Sequence, residues 1–352
     1  LKIAIITDQH FGIRNDNAVF LNHQQKFYEN TFFPKIDELG IDTVIDLGDT
    51  FDRRKYVNYV TLKKTHDIWF KQLEKRNIDY RCILGNHTTY YKNTNEVNFS
   101  MVVEQYDNMT VYAHEPIELE FDGLEIMLSP WISAGNHDIS MKKLAETRAK
   151  VLMGHFEILG YEMTRGQMCD HGLDGQIFDK FDSVYSGHFH HPSSNKNITY
   201  LGAPYEMTWS DFNGKRGFHI FDTKTLKMEF VENPYKIFHK IVYDDVDMTI
   251  EDIEELDTSV LVDTYIKVIV KNKENPYIFD LFVDKIQASG AADVKILEDY
   301  MNNEILDEES LLDEAQDTPT ILSQYVDSLE IKQDKGKILK FLFELHNEAT
   351  NL

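Results

Sequence analysis

Seven side chains of metal-ligating type stand at five points in the first 190 residues: Asp8 with His10, Asp49, Asn86, His155, and His188 with His190. The set mixes carboxylates, one amide oxygen and imidazoles, and it contains no thiolate. Mixed oxygen and nitrogen ligation suits first-row divalent ions of intermediate hardness, Mn²⁺ or Fe²⁺, and admits Zn²⁺. An all-oxygen Mg²⁺ or Ca²⁺ cage has no need of four histidines. Seven ligands exceed what one tetrahedral ion takes, so two ions are the natural count, with Asp49 the best candidate for the bridge. Two ions roughly 3.5–4 Å apart lower the pKa of a shared water and clamp both oxygens of a phosphoryl displacement.

Each motif alone is weak, and a lone Gly-His is usually a satisfied loop histidine. The specific signal is the order: Asp8-x-His10, Gly48-Asp49-x-x-Asp52, Gly85-Asn86-His87, Gly154-His155 and Gly187-His188-x-His190. Each follows a short apolar run, at 3–6, 43–47, 81–84, 151–153 and 183–186, that reads as a buried strand. Helical patterns at 22–39 and 60–75 separate the first three. This βαβ alternation predicts a sheet with helices on its faces, and in such sheets ligands bind beyond the carboxyl ends of the strands. A second, more complete copy, Gly135-Asn136-His137-Asp138, follows a broken run and precedes a helical stretch. It reads as a helix N-cap, with Asn136 or Asp138 capping orphan amides.

The chain has 352 residues, enough for two or three domains. Hydrophobic residues at 42% and charged residues at 27% are ordinary for a soluble globular protein. No apolar run approaches the roughly 18 residues of a membrane span. No secretory signal is expected, and two cysteines, Cys82 and Cys169, cannot build a disulfide framework, so a reduced cytoplasmic setting is the default. The net charge of −24 is unevenly spread: residues 241–352 carry 27 acids against 9 bases, leaving 1–240 close to neutral. A local basic patch on that body can still meet phosphates.

Beyond about residue 240 the pattern predicts a strand within 262–270, a helix at 276–289 and a short strand at 293–297. An acidic linker follows at 301–318. Two amphipathic helices then come within 319–352. Ile321, Leu322, Tyr325, Val326 and Leu329 share one apolar face, and Ile338, Leu339, Phe341, Leu342 and Leu345 share the other. Such helices either dock on another chain or fold back on their own body.

At these residues the sequence resembles the calcineurin-like metallophosphoesterase superfamily. Within it, the fit is to SbcD-type DNA repair nucleases, nearest the small subunits of T-even-type bacteriophage recombination endonucleases. Supporting segments are Gly48-Asp49-Thr50-Phe51-Asp52-Arg53-Arg54-Lys55, Tyr90-Tyr91-Lys92-Asn93, Ser129-Pro130-Trp131, Gly154-His155-Phe156-Glu157, Leu201-Gly202-Ala203-Pro204 and Arg216-Gly217-Phe218. The resemblance implies an α/β fold, a β-sandwich flanked by helices over 1–240. It adds a small α+β, DNA-binding cap domain over 241–300 and a C-terminal helix pair that docks on an SbcC-type ABC ATPase with coiled coils. It implies two divalent ions, Mn²⁺ above all: Asp8, His10, Asp49 and His190 would hold one, and Asp49, Asn86, His155 and His188 the other. His87 would stabilise the transition state and protonate the leaving 3′-oxygen. Exo- and endonuclease action on DNA, a homodimer through the nuclease domain, and a host-cell cytoplasmic location follow from the same resemblance. Where the family usually has an acidic residue after Gly-Asn-His, this chain has Thr88, so Asp52 is the candidate to orient His87.

Arg53, Arg54 and Lys55 are candidates for the DNA backbone or for a solvated loop. Lys63 and Lys64 read as a helix's water face, Trp69 and Phe70 as core, and His23, His171 and His191 as histidines outside the ligand set. Two rival functions remain. One is a calcineurin-like phosphatase or cyclic-nucleotide phosphodiesterase, which the long C-terminal extension disfavours. The other is a weakly catalytic regulatory subunit of an ABC-type ATPase, for which Thr88 is the support.

Overall fold

Ile3, Ala4, Ile5 and Ile6 are apolar without alternation, the mark of a strand covered on both faces, and none exceeds 2% exposure. In the computed structural model, which describes residues 1–164, 166–298, 326 and 335–350, they lie in the strand Lys2–Ile6 of a six-stranded sheet. The spatial order is Lys227–Glu232, Gly217–Asp222, Lys2–Ile6, Thr43–Asp46, Asp79–Ile83, Met109–Tyr112. The last four strands are mutually parallel, and Gly217–Asp222 closes the other side antiparallel to Lys2–Ile6. A second six-stranded sheet runs Ser193–Asn195, Ile198–Tyr200, Ser183–Gly187, Val151–His155, Leu124–Ser129, Ile117–Phe121.

The two sheets pack face to face. Ile3, Ile5, Ile45, Leu47 and Ile83 of the first meet Ile126, Leu128, Val151 and Met153 of the second. Residues of opposite parity in the first sheet, Ala4, Ile6, Val44, Tyr80 and Cys82, turn outward to Phe27, Phe32 and Trp69 on the covering helices. Among the described residues this gives a β-sandwich with helices outside it, the architecture expected of the first 240 residues.

Both long helices contain a wide turn. Ala18–Phe27 passes through a π-turn at Tyr28–Phe32 into Phe33–Leu39. Pro34 accounts for it: without an N–H it cannot bond to the carbonyl four residues back, and its ring crowds that carbonyl. Tyr59–Thr65 likewise runs through a π-turn at His66–Phe70 into Lys71–Lys75. Trp69 and Phe70 on this turn are fully buried against the first sheet.

Phe238–Asp244, Tyr265–Asn272 and Asp293–Leu297 form a separate, all-parallel sheet. The helices Ile250–Glu255 and Pro276–Gln287 make its crossovers. This unit has its own core around Tyr243, Ile266, Val268 and Phe282. It is pinned to the sandwich. The buried Glu206 carboxylate accepts the amides of Ile237 (2.9 Å) and Phe238 (3.1 Å), and Asn17 donates to the Tyr265 hydroxyl at 2.9 Å.

The Gly135–Asp138 segment leads into a helix at His137–Glu146, but Asn136 does not cap it with its side chain. Its amide oxygen accepts from the Ser133 amide instead, and its Nδ2 donates to the His114 and Trp131 carbonyls. Of the terminal apolar residues, Val326 is buried. Ile338, Leu339, Phe341 and Leu342 lie on the helix Lys335–Thr350, with Phe341 59% exposed. Ile321, Leu322, Tyr325 and Leu329 lie outside the described residues, as does the acidic linker beyond 298. Leu345 belongs to that helix, but its side chain is not described.

Candidate metal centre

The strands Lys2–Ile6, Thr43–Asp46 and Asp79–Ile83 point their carboxyl ends at one rim of the sandwich, where the parallel neighbours Val151–His155 and Ser183–Gly187 end in register, Gly187 opposite His155. Side chains at such ends are fixed by the ladder behind them and free in front. Asp8, His10, Asp49 and His188 all leave the strands with positive φ, at 52°, 44°, 57° and 85°. Non-glycine residues adopt this region at a cost, and such strain gathers where a site dictates backbone direction.

Two groups of donor atoms converge there. In the first, Nε2 of His10 and Nε2 of His190 stand 3.1 Å apart, each 3.9 Å from Asp8 Oδ1. In the second, Asn86 Oδ1 is 3.0 Å from both His155 Nε2 and His188 Nδ1. Asp49 Oδ2 faces both groups, 3.2 Å from His155 Nε2 and 3.9 Å from His10 Nε2.

The hydrogen bonds behind these atoms decide what can fill the space. His155 directs Nδ1 to the Leu47 carbonyl at 2.7 Å, so that nitrogen carries the hydrogen. Its Nε2 then turns a lone pair on the oxygens of Asn86 and Asp49. His10 directs Nδ1 to the Asp52 carboxylate at 3.2 Å, which leaves its Nε2 lone pair facing Nε2 of His190. At His155 a lone pair aimed at oxygen lone pairs in a buried space calls for a proton or a metal ion between them. A ligating histidine whose other nitrogen is held by a carbonyl or carboxylate is the usual arrangement at metal ions. The residues therefore fit two divalent ions with Asp49 between them.

The charge state of the metal-free centre agrees. Burial pushes the His155 imidazole down, but the Asp49 and Asp8 carboxylates outweigh it and lift it to about 9. Burial raises Asp8 to about 6. Burial acts the same way on Asp49, yet His155, His87 and His10 hold it well below the usual carboxylate range. Burial, with His10 adding to it, pushes His190 well below the ordinary histidine value. The protonated His155 thus supplies positive charge where that of a metal ion would be expected.

Two glycines make room. A Cβ on Gly85 would lie 2.1 Å from Asp49 Oδ1, and one on Gly187 would lie 2.0 Å from the Thr7 hydroxyl and 3.0 Å from Asp8 Oδ2. Behind the rim, Gln9 links Asp46 (2.6 Å) to the Tyr28 hydroxyl (2.5 Å). The backbone carbonyl of His190 accepts from Arg216, itself paired with Asp211 at 2.6 Å.

His87 stands at the mouth, its ring 4.8 Å from that of His10. Its amide donates to Asp49 Oδ1 at 2.7 Å, and its Nδ1 contacts the backbone carbonyl of Asp52 at 2.6 Å. The orienting bond expected from the Asp52 carboxylate is thus made by its carbonyl, while the carboxylate serves His10. Thr88 turns to the Gly85 amide and carbonyl and closes the turn. Arg53 pairs with Asp16 at 3.1 Å and stacks on Tyr56, Arg54 is half-buried beside Asp49, and Lys55 is exposed. Two neighbours are absent from the ligand set that the motifs define. The Trp131 ring lies 5.2 Å from that of His188, and Glu157 Oε1 lies 3.5 Å from His188 Nε2. Their only sequence signals are the Ser-Pro-Trp and Gly-His-Phe-Glu segments. His23 Nε2 donates to the Asp263 carbonyl at 2.9 Å, away from the centre.

Residues 1–192 match the family described as calcineurin-like phosphoesterase. Exonuclease subunit 1 of Enterobacteria phage T4 is 29% identical over 355 residues, covering 99% of this chain and all of that protein. The SbcD component of the SbcCD nuclease of Staphylococcus saprophyticus is 22% identical over 65% of this chain and 67% of its own length. A solved archaeal phosphodiesterase aligns with 66% of this chain and all of its own at 14% identity, with a TM-score of 0.34, too low to carry an argument.

Proposed function

The chain belongs to the calcineurin-like phosphoesterase family, and from that premise we propose that it is a two-metal DNA nuclease, the catalytic subunit of an SbcCD-type complex for break repair and recombination. The observation that carries the proposal is the meeting of six further residues of ligand type from two sheets around Asp49, with His87 at the mouth. Similarity along the whole chain to a phage exonuclease subunit supports DNA as the substrate.

Asp8, His10, Asp49 and His190 would hold one ion and Asp49, Asn86, His155 and His188 the other, with Mn²⁺ the ion suited to this donor set. When bound, the pair supplies charge neutralisation for the phosphate and acidifies water. The chain's own groups do the rest. The Leu47 carbonyl and the Asp52 carboxylate fix the tautomers of His155 and His10. The Asp52 carbonyl holds the Nδ1 hydrogen of His87, so Nε2 is the atom that, when the ring is the doubly protonated imidazolium, would pass its proton to the departing 3′-oxygen and leave the neutral ring behind. Arg54 brings positive charge beside Asp49, where a phosphate would approach. The helix Lys335–Thr350, with Phe341 exposed, would engage an SbcC-type ATPase.

The test is Mn²⁺-dependent hydrolysis of linear double-stranded DNA by the full chain, with and without the ATPase. The proposal expects DNA cleavage that Asp49→Ala abolishes. Hydrolysis of small phosphomonoesters or cyclic nucleotides without cleavage of DNA would overturn it.

A further inference from the structure

Next to His188, the segment after Val151–His155 folds back on itself and gathers three more side chains. Glu157, Cys169 and His171 bring a carboxylate oxygen, a thiol sulfur and an imidazole nitrogen within 4.8 Å of one another. The backbone holds them there. The Leu173 amide donates to the Glu157 carbonyl at 2.8 Å, the Gly160 amide to the Cys169 carbonyl at 2.8 Å, and the Cys169 amide to the Tyr161 carbonyl at 2.8 Å. Gly172, at φ +94°, allows the closest approach: a Cβ there would lie 2.5 Å from the Glu157 carbonyl oxygen.

The donor atoms are of the types a metal ion can share. His171 directs Nδ1 to the Asp170 carboxylate at 2.7 Å and Nε2 to Glu157 Oε1 at 3.2 Å; the bond to Asp170 foremost, with Glu157 adding to it, raises the imidazole, so a protonated ring holds the place in the metal-free chain and Nε2 is the nitrogen a metal ion would take over. This is the carboxylate–histidine pairing that orients a metal ligand from behind. Cys169 is 2% exposed, and its thiol donates to the His171 carbonyl at 3.2 Å. The side chain of His171 is 56% exposed, which leaves a path from solvent.

We propose that Glu157, Cys169 and His171 form a further cation site, distinct from the seven-ligand centre, that takes a borderline-soft divalent ion of the Zn²⁺ class. Thiolate, imidazole and carboxylate are the donors that ion prefers, and three protein ligands leave a fourth position open to water. The Cys169 thiol, raised by burial in the metal-free chain, gives up its proton on coordination. Glu157 also stands 3.5 Å from His188, so one carboxylate lies between the two centres.

Co²⁺ is the probe, because a bound thiolate gives it a near-ultraviolet charge-transfer band. The full chain, first saturated with Mn²⁺, is titrated with Co²⁺. The proposal expects the band to saturate at one Co²⁺ per chain and to be absent in Cys169→Ser. His171→Ala, a change at an exposed side chain, should weaken Co²⁺ at least about tenfold, and Cys82→Ser should leave the band intact. No band in the unaltered chain, or a band that survives Cys169→Ser, would overturn the proposal and leave a protonated His171 as the cation. None of the seven ligands of the main centre is a thiol, so failure of that centre to bind Mn²⁺ would not change the cobalt band.

Discussion

Gly85→Ala adds one methyl group and touches no ligand chemically, yet the geometry makes it severe. The new Cβ would sit 2.1 Å from Asp49 Oδ1, 2.6 Å from Asp49 Cγ and 2.7 Å from the Asp49 amide nitrogen. The first of these is more than an ångström inside ordinary contact. The carboxylate cannot swing away alone, because the backbone nitrogen of the same residue is also too close. Asp49 must move as a unit, and it is the group that faces both donor clusters. A displacement of about 1 Å in a reacting geometry costs roughly 100-fold in rate, about 2.7 kcal/mol of transition-state stabilisation. Overpacking of this kind costs roughly 1–3 kcal/mol of stability, so the fold should survive. Gly175→Ala is the control, since its nearest neighbour, Ile158 Cγ2, is 4.0 Å away. The assay pairs Mn²⁺ titration calorimetry with cleavage of linear DNA, and thermal melts establish folding. A folded Gly85→Ala chain with Mn²⁺ affinity and cleavage rate like those of Gly175→Ala would refute the reasoning.

His87→Ala should keep its Mn²⁺ stoichiometry and lose about 10²–10⁴-fold in cleavage rate; loss of metal in calorimetry would mean that His87 is a ligand instead. His155, raised from 6.5 to about 9 beside Asp49 and Asp8, contributes stability to the metal-free chain that is complete below pH 6.5 and lost as pH climbs through 9. Denaturant melts without metal should therefore weaken by about 3 kcal/mol across that window, whereas Mn²⁺ should flatten the dependence; a metal-free profile that is level from pH 7 to 9 would contradict this charge assignment. Phe341→Glu, at the exposed face of Lys335–Thr350, should reduce capture of an SbcC-type ATPase by at least about tenfold, about 1.4 kcal/mol, without altering the melting temperature; unchanged capture in a pull-down would show that another surface is used.

The strand ends were the legible part of the chain. Runs such as Ile3–Ile6 are apolar on both parities because both sheet faces are covered, and the polar cluster that stops each run marks the rim. Residue type then says which rim positions can ligate. What was hidden is what the backbone does. The group that holds His87 is a carbonyl, which every residue possesses, so no spacing could single out Asp52 for that reason. The carboxylate of Asp52 serves His10 instead, a pairing across a gap of 42 residues that only the fold creates. The turn of Asn136 away from its helix was equally invisible, because the competing Ser133 amide and His114 carbonyl carry no signature. The π-turn at Tyr28–Phe32 had its cause in view at Pro34, but a helical period alone does not distinguish a widened turn from a break. Glu157 stood two residues beyond His155 in a segment already singled out, and its role emerges only where a second loop brings Cys169 and His171 to it.

Seven ligands holding two cations, with Asp49 between them, are the claim on which the rest stands. Crystals of the full chain grown with Mn²⁺ and measured at the manganese absorption edge test it directly. Two anomalous peaks are expected roughly 3.5–4 Å apart, one among Asp8, His10 and His190, the other among Asn86, His155 and His188, with the Asp49 carboxylate touching both. A single peak, or two that Asp49 does not join, would contradict it.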